Sequence, residues 1–463
     1  MVALSCWRSD HSWCYRLCSL GYVRLTPSGR LYIFGGVILA ALVFCATNGG
    51  VTGQRSFTIP LAVAGSAYLL AIRELFRTPR FANRVIVVGL VLSAVWHLAF
   101  LLKPPGADDD VHRYVWDGRV QRLGYDPYTA VPSDPALRMV HTAETRTLNN
   151  PDVPSPYPPG AQLFFRAVTA LHESTFALRI AFLSCDVAIV LVLLDTLRAN
   201  SLPSHWVLAY AWHPLLAIEV AGSGHIDIVG ALLLLVSVVA LGRRWRATAA
   251  VTLALAIAVK LLPVVLLPLY WRRVRIRDSA LAALVLAAVY MSFVDRGRIP
   301  IGSLGAYVQH FRFNDPVFAG LERVAGPQLV VALAVLVGFA TAMYFRRTSL
   351  APSPDAFAWP MAASLFCAPV VYPWYLLSLL PFLRSASTLP LTIWTVSIIP
   401  TYVVWHLRTI GRPWSVPGWV LLLEYGSVAV AGAPIAYRRL KARRECNAQS
   451  ADMTLSINRG GPP

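Results

Sequence analysis

Apolar runs, many of them free of charge over the length needed to cross a hydrocarbon core of ~30 Å as a helix, alternate with short basic clusters along nearly the whole chain. They centre on residues 31–47, 57–74, 85–102, 176–196, 205–221, 226–241, 279–294, 327–345, 356–371, 374–385, 388–405 and 417–436. The pattern predicts an all-α polytopic membrane protein with about twelve transmembrane helices. Segment 247–271 breaks the rhythm, because Arg243, Arg244 and Arg246 precede it while Arg272, Arg273, Arg275 and Arg277 follow it. A single crossing would place one basic cluster outside, so the segment reads as a re-entrant hairpin turning at Lys260-Leu-Leu-Pro263. A kinked full crossing with a snorkelling Lys260 is the alternative.

The polar stretches give the expected organisation. Residues 1–30 form a basic cytoplasmic leader, 31–436 the transmembrane domain, and 437–463 a basic, disordered cytoplasmic tail. Within the domain, 103–175 is a long first outer loop, which ends in a short amphipathic stretch, 161–172, that suits a helix lying in the interface. The positive-inside bias puts both termini in the cytoplasm of a multi-pass plasma-membrane protein, with the long loop on the extracytoplasmic side.

Composition agrees with this picture. The 463 residues are 56% hydrophobic and only 14% charged. A net charge of +18 is dispersed between apolar runs, so the basic residues act as topology signals and no nucleic-acid partner is expected. Seven scattered cysteines imply no disulfide framework, and neither a phosphate-binding nor a dinucleotide-binding glycine motif is present.

Candidate chemistry concentrates in the long loop. It carries Asp108-Asp109-Asp110-Val-His112-Arg113-Tyr114-Val-Trp116-Asp117-Gly118, then Gly124-Tyr125-Asp126-Pro127-Tyr128 and Ser155-Pro156-Tyr157-Pro158-Pro159-Gly160. Helical spacing sets Asp110, Arg113 and Asp117 on one face, a face suited to hydroxylated ligands. Carboxylates there fit glycosyl transfer: one takes the acceptor proton, and a neighbour positions the acceptor or holds a divalent cation, Mg or Mn, for which Asp109 and Asp110 are the candidate ligands. Nucleotide sugars are cytoplasmic, so an outward-facing enzyme needs a sugar carried on a lipid phosphate. That phosphate needs cations, and His225, Lys260, Arg312 and His310 are the candidates. Lys260, taken as an unpaired ammonium at membrane depth, would be cheap to remove.

These motifs, together with Tyr157-Pro158-Pro159, Gly224-His225-x-Asp227, Lys260-Leu-Leu-Pro263, Phe313-Asn314-Asp315 and Pro373-Trp374-Tyr375, resemble the bacterial multi-spanning glycosyltransferases of the GT-C fold. The resemblance is strongest to glycosyltransferase family 87 and the PIG-M-like mannosyltransferases, which use polyprenyl-phosphate sugars. It covers roughly residues 30–436. It implies a hexosyltransferase, first of all a mannosyltransferase, acting on an extracytoplasmic glycan or lipid acceptor, with Asp109 or Asp110 as catalytic base. The substrate-binding set is then Asp108, Arg113, Tyr114, Trp116, Asp117, Tyr157, His225, Asp227, Lys260, Arg312, Asn314 and Trp374. Two positions depart from the group's pattern: Asp126 replaces the usual asparagine before Pro-Tyr, and Tyr372 the histidine before Pro-Trp-Tyr. The rival class is a transporter or flippase of lipid-linked sugars. It predicts acidic residues inside spans, whereas this chain's acids are read as concentrated in outer loops.

Overall fold

A computed structural model describes residues 25–48, 50, 52–106, 109–294, 299–348, 353–435 and 437. The protein is all-helical and polytopic; the one strand-like feature among the described residues is an isolated bridge between Phe313 and Val370. Seven described helices are long and apolar enough to cross a membrane: Pro27–Asn48, Arg55–Arg77, Asn83–Leu102, Thr175–Ala199, Pro327–Thr348, Ala386–Thr409 and Gly418–Ile435. Pro214–Gly222 and Asp227–Gly242 meet at 119° and make an eighth span only if taken together.

The other expected segments are shorter or broken, and proline accounts for much of this. A proline deletes a donor and disfavours helix in the residue before it. Residues 205–221 divide into short turns around Pro214, and 374–385 forms 3-10 turns around Pro373 and Pro381. Pro354–Phe366 and Ile276–Met291 stop at 13 and 16 residues.

Segment 246–271 has the geometry of a hairpin. Helix Arg246–Val259 packs along Asp227–Gly242 and ends at Lys260, whose ammonium reaches Asp227 at the start of that neighbour. The chain then returns alongside Pro327–Thr348: Val265 abuts Gly338, and the Trp271 carbonyl accepts from Arg346 Nε at 3.1 Å. Arg244 and Arg246 finish beside Arg275 and Arg277 around one cleft. Reporter fusions after Arg246 and after Arg277 are therefore expected to report the same side of the membrane. Opposite sides would rule the hairpin out.

The long loop is itself folded. Helix Asp110–Arg122 has an acid in its first turn and Arg119 and Arg122 in its last, which suits the helix dipole. It crosses Pro159–Leu171 at Gly118, where a Cβ would lie 2.7 Å from the Phe165 carbonyl oxygen. Gly160 allows a matching approach of that second helix to Ala258, at 2.7 Å from its carbonyl oxygen. Pro159–Leu171 buries Ala161, Phe165 and Thr169, one turn apart on one face, and leaves Leu171 exposed. Trp116, Val120, Leu137, Val140 and Leu148 form a small core of the loop's own.

Candidate functional site

One arginine brings the two key turns together. Arg179, in helix Thr175–Ala199, donates through Nη1 and Nη2 to the carbonyls of Lys103 (2.7 Å) and Leu101 (2.9 Å), where helix Asn83–Leu102 ends. The same guanidinium donates to Ala221 (3.2 Å) and Gly222 (3.1 Å), at the end of the π-helical turn Ala217–Gly222. Carbonyls at helix C-termini lack intrahelical partners, and a buried cation satisfies them. The loop carrying Asp109 thus starts beside the turn carrying His225. Gly224 in that turn has φ +74°, and a Cβ there would lie 2.8 Å from Arg179 Cγ, so the position requires glycine.

The side chains then converge. Asp109 Oδ2 accepts from the Gly106 amide at 2.6 Å. Burial pushes the Asp109 carboxyl above the usual carboxylate range and the adjacent Asp110 adds to this, while His225, the Gly106 amide and His112 pull the other way. Asp110 accepts from the Tyr157 hydroxyl (2.9 Å) and from Asn149 Nδ2 (2.7 Å), and its Oδ2 lies 3.9 Å from His225 Nε2. On its other side His225 meets Glu219, with Nδ1 2.8 Å from Oε2. The imidazole stacks on Trp374 at 4.1 Å, and Trp374 stacks on Tyr372 at 4.4 Å. The Lys260 ammonium sits 2.9 Å from Asp227 and 4.4 Å above the Tyr375 ring, whose hydroxyl bonds to that of Tyr307. Apart from His112, these groups open onto one cavity of about 1340 Å³, which His310, Arg312 and Arg408 also line. Single small-molecule sites run to about 1,000 Å³, so the space accommodates two substrates together.

Of the residues expected from sequence, Asp109, Asp110, Arg113, Tyr157, His225, Asp227, Lys260, Arg312 and Trp374 line this cavity. Asp108 lies outside the described residues. Tyr114, Trp116, Asp117 and Asn314 are not in the lining. Tyr114 is fully buried and stacks on Phe165 at 4.3 Å, and Trp116 stacks on His141 at 4.3 Å inside the loop core. Asp117 accepts from Arg113 Nε (3.1 Å), Gln162 Nε2 (2.9 Å) and Ser155 Oγ (2.5 Å). Asn314 donates to Glu424 at 3.0 Å.

The shared helical face of Asp110, Arg113 and Asp117 is real, but residues 149–162 cover all except its first turn. Arg113 also donates to the carbonyls of Asn150 (3.2 Å) and Val153 (2.8 Å), so its role is to hold the loop. Arg312 is likewise engaged, with Glu322 (Nε to Oε2, 3.0 Å) and the Phe311 carbonyl (2.7 Å). Lys260 is not the unpaired ammonium expected, since Asp227 neutralises it. Sequence reasoning missed Asn149, an amide in a loop that carries no signal, and Arg179 and Tyr307. Glu219 was readable as an ionisable residue at membrane depth, though not as the partner of His225.

Acids also occur inside helices, against the expectation that they keep to loops. Asp186 in Thr175–Ala199 accepts from the Tyr210 hydroxyl at 2.6 Å, with His97 Nε2 3.7 Å away. Glu424 in Gly418–Ile435 accepts from Trp394 Nε1 at 2.6 Å. Membrane-depth acids therefore do not separate enzyme from transporter here.

A divalent cation finds no complete donor set among the described residues. Among the described residues no group of three or more His, Cys, Asp or Glu side chains is arranged to hold one. Gly106, Tyr157 and Asn149 already bond the carboxylates of Asp109 and Asp110.

Residues 35–274, just over half of the chain, match the family model described as alpha-(1->6)-mannopyranosyltransferase, N-terminal domain (the MptA_B family). The matched stretch contains the long loop, His225, Asp227 and Lys260. No curated protein and no solved structure gives a match.

Proposed function

The chain belongs to this alpha-(1->6)-mannopyranosyltransferase family and is a mannosyl-transferring membrane glycosyltransferase; from that premise we propose that the cavity transfers mannose from a polyprenyl-phosphate donor to a hydroxyl of a glycan or lipid acceptor on the extracytoplasmic side. The observation that carries the reading is the meeting, in one large cavity, of a desolvated carboxylate, a histidine, a lysine and stacked aromatic rings. The α-(1→6) linkage, the GT-C architecture and the closer kinship to family 87 and the PIG-M group belong to the same proposal. Family membership, rather than the placement of acids, decides against a transporter or flippase.

The chemistry needs three tasks. Asp109 removes the proton from the acceptor hydroxyl, whose oxygen attacks C1 of the sugar as the C1–O bond to phosphate breaks. The lipid phosphate leaves with the electron pair, and its negative charge is met by Lys260, Arg408 and His225, all in the cavity lining. Trp374 and Tyr372, stacked on each other, line the cavity and give the sugar ring an aromatic surface to pack against. Asp110, fixed by Tyr157 and Asn149, holds His225 and a sugar hydroxyl in place. Transfer then goes by one displacement, with no covalent sugar–enzyme stage.

The pH dependence follows from the Asp109 environment. A base works deprotonated, so the rate rises as pH passes its pKa, and burial sets that acid limb above the ordinary aspartate value of about 3.9. Asp110→Asn removes a negative neighbour that raises the Asp109 pKa, so it is expected to move the acid limb of kcat/KM to lower pH. An unmoved limb would take the base role away from Asp109. The sugar is tested by supplying membranes with radiolabelled polyprenyl-phosphate mannose, glucose and arabinose, using extracts of a deletion strain as acceptor. Mannose is expected to be incorporated; glucose or arabinose alone would refute the donor assignment.

A further inference from the structure

The helix pair Asp227–Gly242 and Arg246–Val259 has a second end, remote from the cavity. Sixteen helical residues span about 24 Å, so the base of the hairpin lies roughly that far from Asp227 and Lys260. There Arg244, Arg246, Arg275 and Arg277 surround a cleft of about 400 Å³, with Ala247 and Asp278 completing it. We infer that this cleft binds the phosphodiester headgroup of an anionic membrane phospholipid.

Asp278 is the one acid of the cleft; it lies 3.8 Å from Arg277 and accepts from the Arg275 amide at 3.2 Å. Among the described residues no carboxylate pairs with Arg244, Arg246 or Arg275. The neighbouring Arg243 shows the contrast, since Asp195 pairs with it. A topology signal requires positive charge at this end of the spans. It does not require four arginines to line one hollow, where their like charges repel one another unless an anion joins them.

Helix geometry adds to the field. Arg246–Val259 starts at Trp245 with no side-chain cap and no acid in its first turn, so its free N–H groups and the positive end of its dipole open at the cleft. The flanks separate a lipid from a free ion. Trp245 is 56% exposed, Trp271 67% and Ile276 90%. These side chains adjoin the arginines in sequence, and a headgroup with its acyl chains would cover them, whereas a dissolved phosphate would not. Occupancy has a mechanical consequence: the anion ties the two feet of the hairpin whose tip presents Lys260 to Asp227.

The test uses the full-length protein in nanodiscs of phosphatidylcholine with or without phosphatidylglycerol. Phosphatidylglycerol is expected to raise the thermal midpoint by several degrees and to be retained in native mass spectrometry. Both effects should be lost in Arg275→Gln/Arg277→Gln and kept in Arg243→Gln. Should the double variant not fold, Arg244→Gln/Arg246→Gln reads out the same loss. Variants that keep the full phosphatidylglycerol effect would overturn the site. So would inorganic phosphate that reproduces the shift in phosphatidylcholine alone, since the cleft would then take a free anion.

Discussion

Asp109→Asn is expected to lower mannosyl transfer by about 10²–10⁴-fold, the range for losing a general base, with the protein still folded and inserted. Asparagine is nearly isosteric and its Oδ1 can still accept from the Gly106 amide, the contact that fixes the side chain. Burial raises the folded-state pKa of Asp109, so ionising it opposes folding once pH rises past the ordinary carboxylate value, and at neutral pH the wild type carries that penalty. The variant does not, and should unfold at the same temperature or slightly higher. A drop in both rate and thermal midpoint would make Asp109 a structural residue.

The second large effect concerns Lys260. Its ammonium lies 2.9 Å from Asp227 Oδ1 and 3.0 Å from Oδ2, and the Asp227 side chain is 1% exposed. Removing one partner of a buried pair strands the other charge and costs about 3–5 kcal/mol. Lys260→Met is therefore expected to destabilise the protein strongly, whatever it does to donor affinity. Lys260→Met/Asp227→Asn removes both charges and should recover most of the lost stability. If Lys260 also meets the donor phosphate, the double variant will be folded yet show a raised KM for the lipid donor. A folded double variant with wild-type KM would confine Lys260 to its ion pair.

The sequence was most informative where one segment decides its own structure. Uninterrupted apolar runs such as 85–102 and 327–345 became long helices, because a chain in hydrocarbon must satisfy its own backbone. Residues 205–221 and 374–385 are also largely apolar, but Pro214, Pro373 and Pro381 break them into turns. At the site, Asp109, Asp110, His225 and Lys260 stood out as charges beside apolar runs and do share a cavity. Their partners did not stand out. Asp227 and Lys260 are 33 residues apart, and Tyr157 reaches Asp110 across 47, separations that only the folded loop and hairpin bring together. Helical spacing put Asp110, Arg113 and Asp117 on one face correctly, yet could not say that residues 149–162 would cover most of it. Tyr114 and Trp116 were drawn to the site by their chemistry, but their large apolar rings fill the loop's interior.

The central claim is that this cavity moves mannose from a lipid phosphate by means of a carboxylate base. Its most direct test is transfer by the purified protein in vesicles, supplied in parallel with radiolabelled mannose on polyprenyl phosphate and on a nucleotide, for wild type and Asp109→Asn. Label is expected to reach the acceptor only from the lipid donor and only with the wild type. Transfer from the nucleotide donor in the absence of lipid, or equal transfer by Asp109→Asn, would contradict the account.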